Sequence, residues 1–258
     1  MVEFYLMAKN IVSAKKLRKV YGDKETVKGI SFDVAEGEVF GILGPNGAGK
    51  TTTLEMLEAI RPIDGGEAIL DGINVANNPE AVKQVIGVQP QTAAFQDKQK
   101  LTEIIEMFAA AYGEKVNPVE FLKDVQLDEH ANSYAETLSG GQRQRLSIAA
   151  AIVHSPKVFF MDEPTTGLDP QARRNLWELI QLIQSRGVTV IMTTHYMEEA
   201  ELLCDRVAIM DDGKIIAMDT PKQLIKDLLK KGFKKHEEVQ QANLEDVFID
   251  LTGKALRD

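Results

Sequence analysis

The chain has 258 residues, 44% hydrophobic and 27% charged, which suits one large globular domain or two small ones with a substantial core. Its formal net charge of −9 argues against a general binder of nucleic acid or anionic membrane, and its single cysteine, Cys204, rules out an internal disulfide and suits a reducing compartment. The opening "MVEFYLMAKN" lacks the basic start of a signal peptide, and no uncharged apolar run reaches the roughly twenty residues that span a bilayer.

In chain order, "IVSAKKLRKVYG" and "GISFDVAEGEVFGILG" read as strands with glycine-bearing turns, the second running into a glycine loop. "TTTLEMLEAI" follows as a helix, with Leu54, Leu57 and Ala59 at helical spacing. "DGGEAILDGINV" reads as strands with turns at Asp64-Gly65-Gly66 and Asp71-Gly72. Residues 92–137 are mainly helical in pattern and form an insert. "KVFFMD" and "VTVIMTT" are buried strands separated by a helix from Gln171 to Ser185, and "RVAIMDDGKIIAMD" is a hairpin about Asp212-Gly213. A helix follows Pro221. Buried strands alternating with helices give an α/β fold with a mainly parallel sheet. The expected division is a domain over 1–220 and a short amphipathic extension over 221–258. Within the domain, a core of 1–91 and 156–220 is interrupted by a helical subdomain at about 92–155.

"GPNGAGKT" matches G-x-x-x-x-G-K-[ST] at Gly44, Gly49, Lys50 and Thr51, between the strand "EVFGIL" and a helix, the context a phosphate loop requires. Glycines let the backbone approach phosphates, and the helix beginning near Lys50 points its free N–H groups at them. Lys50 would reach the β- and γ-phosphates, and the Thr51 hydroxyl would ligate Mg²⁺. "KVFFMDEPTTGLD" supplies an apolar strand ending in Asp162 and Glu163 at the carboxyl edge of the sheet, where α/β ligands sit. Strand neighbours point in opposite directions, so the two carboxylates take separate tasks. Asp162 is assigned to Mg²⁺, partly through water, and Glu163 to polarising an attacking water.

"LSGGQRQR" opens another helix, with Leu146, Ala149, Ala150 and Val153 on one face and Ser139 as its N-cap. Taken alone, the stretch reads as a helix cap with a glycine pair. Its N–H groups and the helix dipole also suit an anion. One nucleotide already crowded by Lys50 and a metal leaves it little to hold. A head-to-tail pair resolves this, with each Ser-Gly-Gly facing the partner's glycine loop.

The set GPNGAGKT, LSGGQRQR, VFFMDEP, GLD and TTH, in this order and spacing, resembles the ATP-binding cassette (ABC) ATPases over about residues 10–220. The resemblance implies a P-loop NTPase core with an antiparallel β subdomain at the N-terminus and a helical insert bearing the signature. It implies ATP and Mg²⁺ as ligands, with Gly44, Pro45, Asn46, Gly47, Ala48, Gly49, Lys50, Thr51 and Thr52 around the phosphates. It implies a sandwich dimer in which Ser139, Gly140, Gly141 and Gln142 meet the partner's nucleotide and Asp169 lies at the interface. His195 in "TTHYMEEA" corresponds to a histidine that contacts the γ-phosphate. Tyr21 is the candidate for the aromatic that stacks on adenine. "IGVQPQTAAF" offers Gln89 and Gln91 for the glutamine that touches Mg²⁺ and the attacking water, and alignment on Ile86-Gly87 favours Gln91. The following "AAFQDKQKLTEII" departs from the family's aliphatic-aromatic and Leu-Thr pattern, at the surface that would face a membrane partner.

The tail "NLEDVFIDLTGKALRD" (243–258) resembles the ending of ATPases from exporters of the ABC-2 type. The expectation is therefore an ATPase subunit, paired as a homodimer, that drives a separate transmembrane permease without binding nucleic acid. It would sit in the cytoplasm, peripheral on the inner face of the membrane. One rival is a non-transport ABC ATPase of DNA repair or translation. Such proteins carry a long coiled coil or fused cassettes, and this chain has neither. A simple P-loop kinase or GTPase would leave LSGGQ and His195 unexplained.

Overall fold

The computed structural model describes residues 9–90, 95–96 and 98–232. Two sheets organise the first compact unit, which runs to Leu224. The antiparallel sheet has strand order β2-β1-β4-β5, from β1 (Asn10–Tyr21), β2 (Lys24–Ala35), β4 (Gly65–Leu70) and β5 (Ile73–Asn74). The second has order β10-β9-β3-β8-β7-β6. Its strands β3 (Val39–Leu43), β6 (Ile86–Gln89), β7 (Val158–Asp162), β8 (Thr189–Thr194) and β9 (Arg206–Asp211) pair in parallel. Only its edge strand β10 (Lys214–Asp219) is antiparallel, closing the expected hairpin with β9.

The parallel strands are buried on both faces, and alternation sorts their side chains into two cores. Phe40, Ile42, Val158, Phe160 and Ile191 face the antiparallel sheet, with Leu54, Met56 and Leu57 of α1 (Lys50–Leu57) packed between. The Phe32 and Phe40 rings stack there with centroids 5.2 Å apart. Val39, Leu43, Phe159, Met161, Val190 and Met192 face the helices. Those are α3 (Leu101–Ala111), α4 (Pro118–Asp124), α5 (Gly140–Ile152), α6 (Pro170–Ser185) and α7 (Met197–Leu203). A short α2 (Pro79–Val85) precedes β6. The insert is helical as expected, with α3, α4 and two 3-10 turns, Asp128–His130 and Ala135–Thr137, before α5.

One local expectation fails. α1 stops at Leu57, and Ala59 adopts a positive φ of 56° outside it. The helix is enclosed by two sheets, so Thr53, Leu54, Met56 and Leu57 are all buried and no single apolar stripe exists to be read. The second unit starts at Ile225 and contributes, among the described residues, the end of α8 (Pro221–Lys230). The tail 243–258 lies outside the described residues. Among the described residues, no helix is long and apolar enough to cross a membrane.

Candidate functional site

β3 delivers the chain into the loop Gly44–Gly49, and α1 begins at Lys50. Two glycines there are irreplaceable on steric grounds. A Cβ at Gly44 would lie 2.1 Å from the Met210 carbonyl oxygen. At Gly49 the backbone is left-handed, with φ 102°, and a Cβ would lie 2.8 Å from the Thr26 carbonyl oxygen. Pro45, Asn46 and Gly47 are exposed at the loop's outer edge, whereas Ala48 is buried and accepts the Gly213 N–H at 3.0 Å. Thr52 and Thr51, in the first turn of α1, border the same cleft of about 360 Å³.

Lys50 is 4% exposed, and its three ammonium hydrogens have three acceptors: the Gly44 carbonyl at 2.9 Å, the Pro45 carbonyl at 3.2 Å and Glu163 Oε1 at 3.2 Å. Glu163 Oε2 lies 3.2 Å from His195 Nδ1, an ion-pair distance without hydrogen-bond alignment. Burial would raise the Glu163 carboxyl, but the Lys50 hydrogen bond and charge, with His195 assisting, hold it below the usual range. Lys50 of α1 and His195, just past β8, thus meet on one carboxylate.

Asp162, the last residue of β7, turns elsewhere. Its Oδ1 accepts from the Thr51 hydroxyl at 3.2 Å and, in a shorter contact, from the Thr193 hydroxyl. The carboxylates diverge as expected, though strand alternation is only part of the cause. The strand ends at Asp162, and Glu163 takes a positive φ of 45°, a strained conformation of the kind that gathers at working sites. Its N–H is anchored to Thr193 Oγ1 at 3.0 Å. Thr193 therefore braces the Asp162 carboxylate and the Glu163 backbone, a role hidden in an apolar-looking strand. Behind Asp162, Glu58 is buried, and burial together with the Asp162 and Glu55 charges pushes its carboxyl up to about 8.

Gln89 ends β6 inside the protein, its amide nitrogen donating to the Pro90 carbonyl at 2.6 Å. Gln91 lies outside the described residues. Tyr21 ends β1 as a 39% exposed residue, with Lys19 Nζ 5.4 Å and Arg61 Cζ 5.8 Å from its ring centre.

The signature stretch is separately built. Ser139 caps α5, its hydroxyl accepting the Gln142 N–H at 3.3 Å while Gln142 Oε1 accepts the Ser139 N–H at 2.9 Å. This is a reciprocal capping box. Gln142 also reaches His130 Nε2 at 2.8 Å, a partner the sequence pattern does not reveal. Ser139 and Gly140 are exposed, and Gly141 abuts Ala172, where an added Cβ would come within 2.9 Å. Asp169 caps α6 by accepting the Ala172 N–H at 2.8 Å. The structure thus gathers Lys50, Thr51, Asp162, Glu163 and His195, while the bonds of Ser139 stay within the first turn of its own helix.

Residues 27–166 match the family model described as "ABC transporter". The chain belongs to the ABC transporter family. It is an ATP-binding, ATP-hydrolysing subunit of that family, and such a subunit implies a transmembrane partner. Among relatives, the linearmycin resistance ATP-binding protein LnrL of Bacillus subtilis is 42% identical, over 83% of this chain and 70% of its own. The Nod factor export ATP-binding protein I of Burkholderia orbicola is 35% identical, over 96% of this chain and 98% of its own. A solved ATP-binding subunit of an ABC transporter superposes with a TM-score of 0.77 at 26% identity, covering 94% of this chain and 99% of the other. CbiO1 of Clostridium perfringens, part of the transporter complex cbiONQ, superposes at 0.75 with 28% identity, covering 86% and 94%.

Proposed function

We propose that this ABC ATPase is the engine of an exporter: two copies close head to tail on ATP, and hydrolysis reopens them to move a separate permease. The observation that carries the reading is the division of the polar groups. Lys50, Glu163 and His195 converge in one cluster around a buried ammonium, whereas Ser139 and Gly140 present an exposed helix N-terminus that this cluster does not use. Such an N-terminus attracts an anion, and a second copy's bound nucleotide would supply one. The relatives named for Nod factor export and for linearmycin resistance support outward transport.

In this reading Lys50 exchanges Glu163 for the β- and γ-phosphates, and the loop from Gly44 to Thr52 lends its N–H groups. The freed Glu163 orients and accepts a proton from the attacking water, and His195 steadies the γ-phosphate. Tyr21 stacks on the base. Thr51 and Asp162 offer a hydroxyl and a carboxylate oxygen 3.2 Å apart, a hard donor set suited to Mg²⁺, with Gln91 as a further ligand. When bound, the cation would neutralise phosphate charge. Ser139, Gly140, Gly141 and Gln142 meet the partner's nucleotide, with Asp169 at the interface. The subunit would lie on the inner membrane face through its permease, bind no nucleic acid and pair with an identical chain.

Dilution tests this directly. ATPase activity per chain should fall as concentration drops below the range in which light scattering detects dimers. An undiminished rate from strictly single chains would overturn the shared site. Co-expression with a membrane protein of about six apolar segments should then stimulate turnover in vesicles.

A further inference from the structure

Four side chains outside the motifs join the helices on either side of His195. Arg173 and Trp177 lie one turn apart on α6 and share a face. Tyr196 and Glu199 follow His195 at the start of α7. The Arg173 guanidinium carbon sits 4.5 Å from the centre of the Tyr196 ring, within cation–π reach. The Tyr196 ring in turn lies 4.2 Å from the His195 ring, tilted by 37°. The Trp177 indole N–H donates to Glu199 Oε1 at 3.2 Å.

Glu199 is 0% exposed. Burial raises its carboxyl, while hydrogen bonds from Thr194, Thr165 and Trp177, and then the Arg173 charge, pull it down. Burying a carboxyl is costly, and a leucine would fill the space without that cost. What the glutamate adds is direction, since its hydrogen bond fixes α7 to the Trp177 indole of α6, with the Arg173 charge nearby. On the strand side, the Tyr196 N–H is tied to Thr194 Oγ1 at 3.0 Å. The short peptide carrying His195 is therefore pinned to β8 at one end and to α6 at the other.

The far end of this contact is the α6 start. Asp169 caps it, and Ala172, beside Arg173, abuts Gly141 of the signature. A shift of the α6 start would carry Arg173, and with it Tyr196. We propose that Arg173 and Trp177 are positioning residues for His195, acting through Tyr196 and Glu199 to hold the imidazole against Glu163. This deepens the reading of His195 as the γ-phosphate contact and rests on it.

Steady-state ATPase assays on the full chain test it. Arg173→Ala should lower kcat about tenfold with KM for ATP within twofold, the signature of lost positioning, while Arg174→Ala on the exposed side of α6 should change neither. Tyr196→Phe should retain activity and Tyr196→Ala should lose it. Glu199→Gln, which keeps an acceptor for Trp177, should retain activity that Glu199→Leu loses. In a His195→Ala background Arg173→Ala should cost nothing further, because residues acting as a unit are non-additive. The proton NMR signal of the His195 ring, assigned by its absence in His195→Ala, should move in Arg173→Ala. An equal loss in both backgrounds, or an unmoved signal with lost activity, overturns the positioning role and leaves the reading of His195 standing. Full activity of His195→Ala by itself instead strikes that reading, and the proposal with it.

Discussion

The phosphate loop and the signature stretch are both glycine-rich turns that open a helix, yet the chain finishes only one of them. At the loop, Lys50 is 4% exposed and saturated by two carbonyls and Glu163. At the signature, Ser139 and Gly140 are open to solvent, held by the capping box and by the first turn of α5. A buried ion pair costs desolvation that its partners must offset, and here two carbonyls and Glu163 already satisfy Lys50, so a ligand must displace a partner to bind it. An exposed helix N-terminus pays no such cost and gains most when an anion arrives. The first region stores an interaction to exchange, and the second waits to make one.

The sharpest break of this contrast removes the charge that holds Lys50. Glu163→Gln should reduce hydrolysis about 1,000-fold, in the range for loss of a general base. ATP should bind at least as tightly as before, because the amide no longer competes for the ammonium. Single-turnover rates and calorimetric affinities check both halves. A variant that loses ATP affinity along with turnover would mean that Glu163 builds the phosphate site rather than guarding it.

Next comes Ser139→Arg, which blocks the exposed N-terminus and should lower hydrolysis about 100-fold, as for loss of preorganised donors. ATP affinity of the single chain should stay within twofold. Gly141 is the poorer position to change, since any side chain there meets Ala172 first. Mixing is decisive. Ser139→Arg chains keep a sound loop, and Lys50→Ala chains keep a sound signature, so the mixture should regain activity that neither has separately. No recovery would place the two regions in one chain's site.

The first region was the more legible in sequence, for a physical reason. Its residues serve a fixed local geometry, so Gly44, Gly49, Lys50 and Thr51 appear at fixed spacing, and β3 and β7 appear as short apolar runs. Helices with one solvent face, such as α6, were equally readable. α1 was not, because enclosure by two sheets erases its stripe. Contacts between distant segments were also hidden. Thr193 looks like strand filling until the fold brings it to Asp162 and Glu163, and His130 gives no sign of reaching Gln142 across twelve residues. The left-handed φ of Glu163 has no signal in a residue type that rarely adopts it.

Glu58 sharpens the contrast through pH. Its folded carboxyl titrates at about 8, above its ordinary 4.5, so between those values the folded chain holds a proton that the unfolded chain has lost. Stability attributable to this group therefore falls as pH rises from about 4.5 and levels off above 8. In chelator without nucleotide, Glu58→Gln should gain about 3 kcal/mol on the parent chain between pH 5 and pH 8. Denaturant titrations at the two values measure it. Parallel pH curves would show that Glu58 is ionised in the fold.

The smallest effect concerns the outer edge of the finished region. The Tyr21 ring is exposed enough to accept a base and is flanked by Lys19 and Arg61 within 6 Å of its centre. Aromatic stacking is worth about 1 kcal/mol, so Tyr21→Ala should weaken ATP binding about fivefold and Tyr21→Phe should barely change it. Inorganic triphosphate separates the base from the phosphates. If Tyr21 stacks on adenine, its removal leaves triphosphate affinity untouched. An equal loss with both ligands would assign the residue to holding Lys19 and Arg61 in place, and would move the boundary of the region assembled within one chain inward to the phosphates alone.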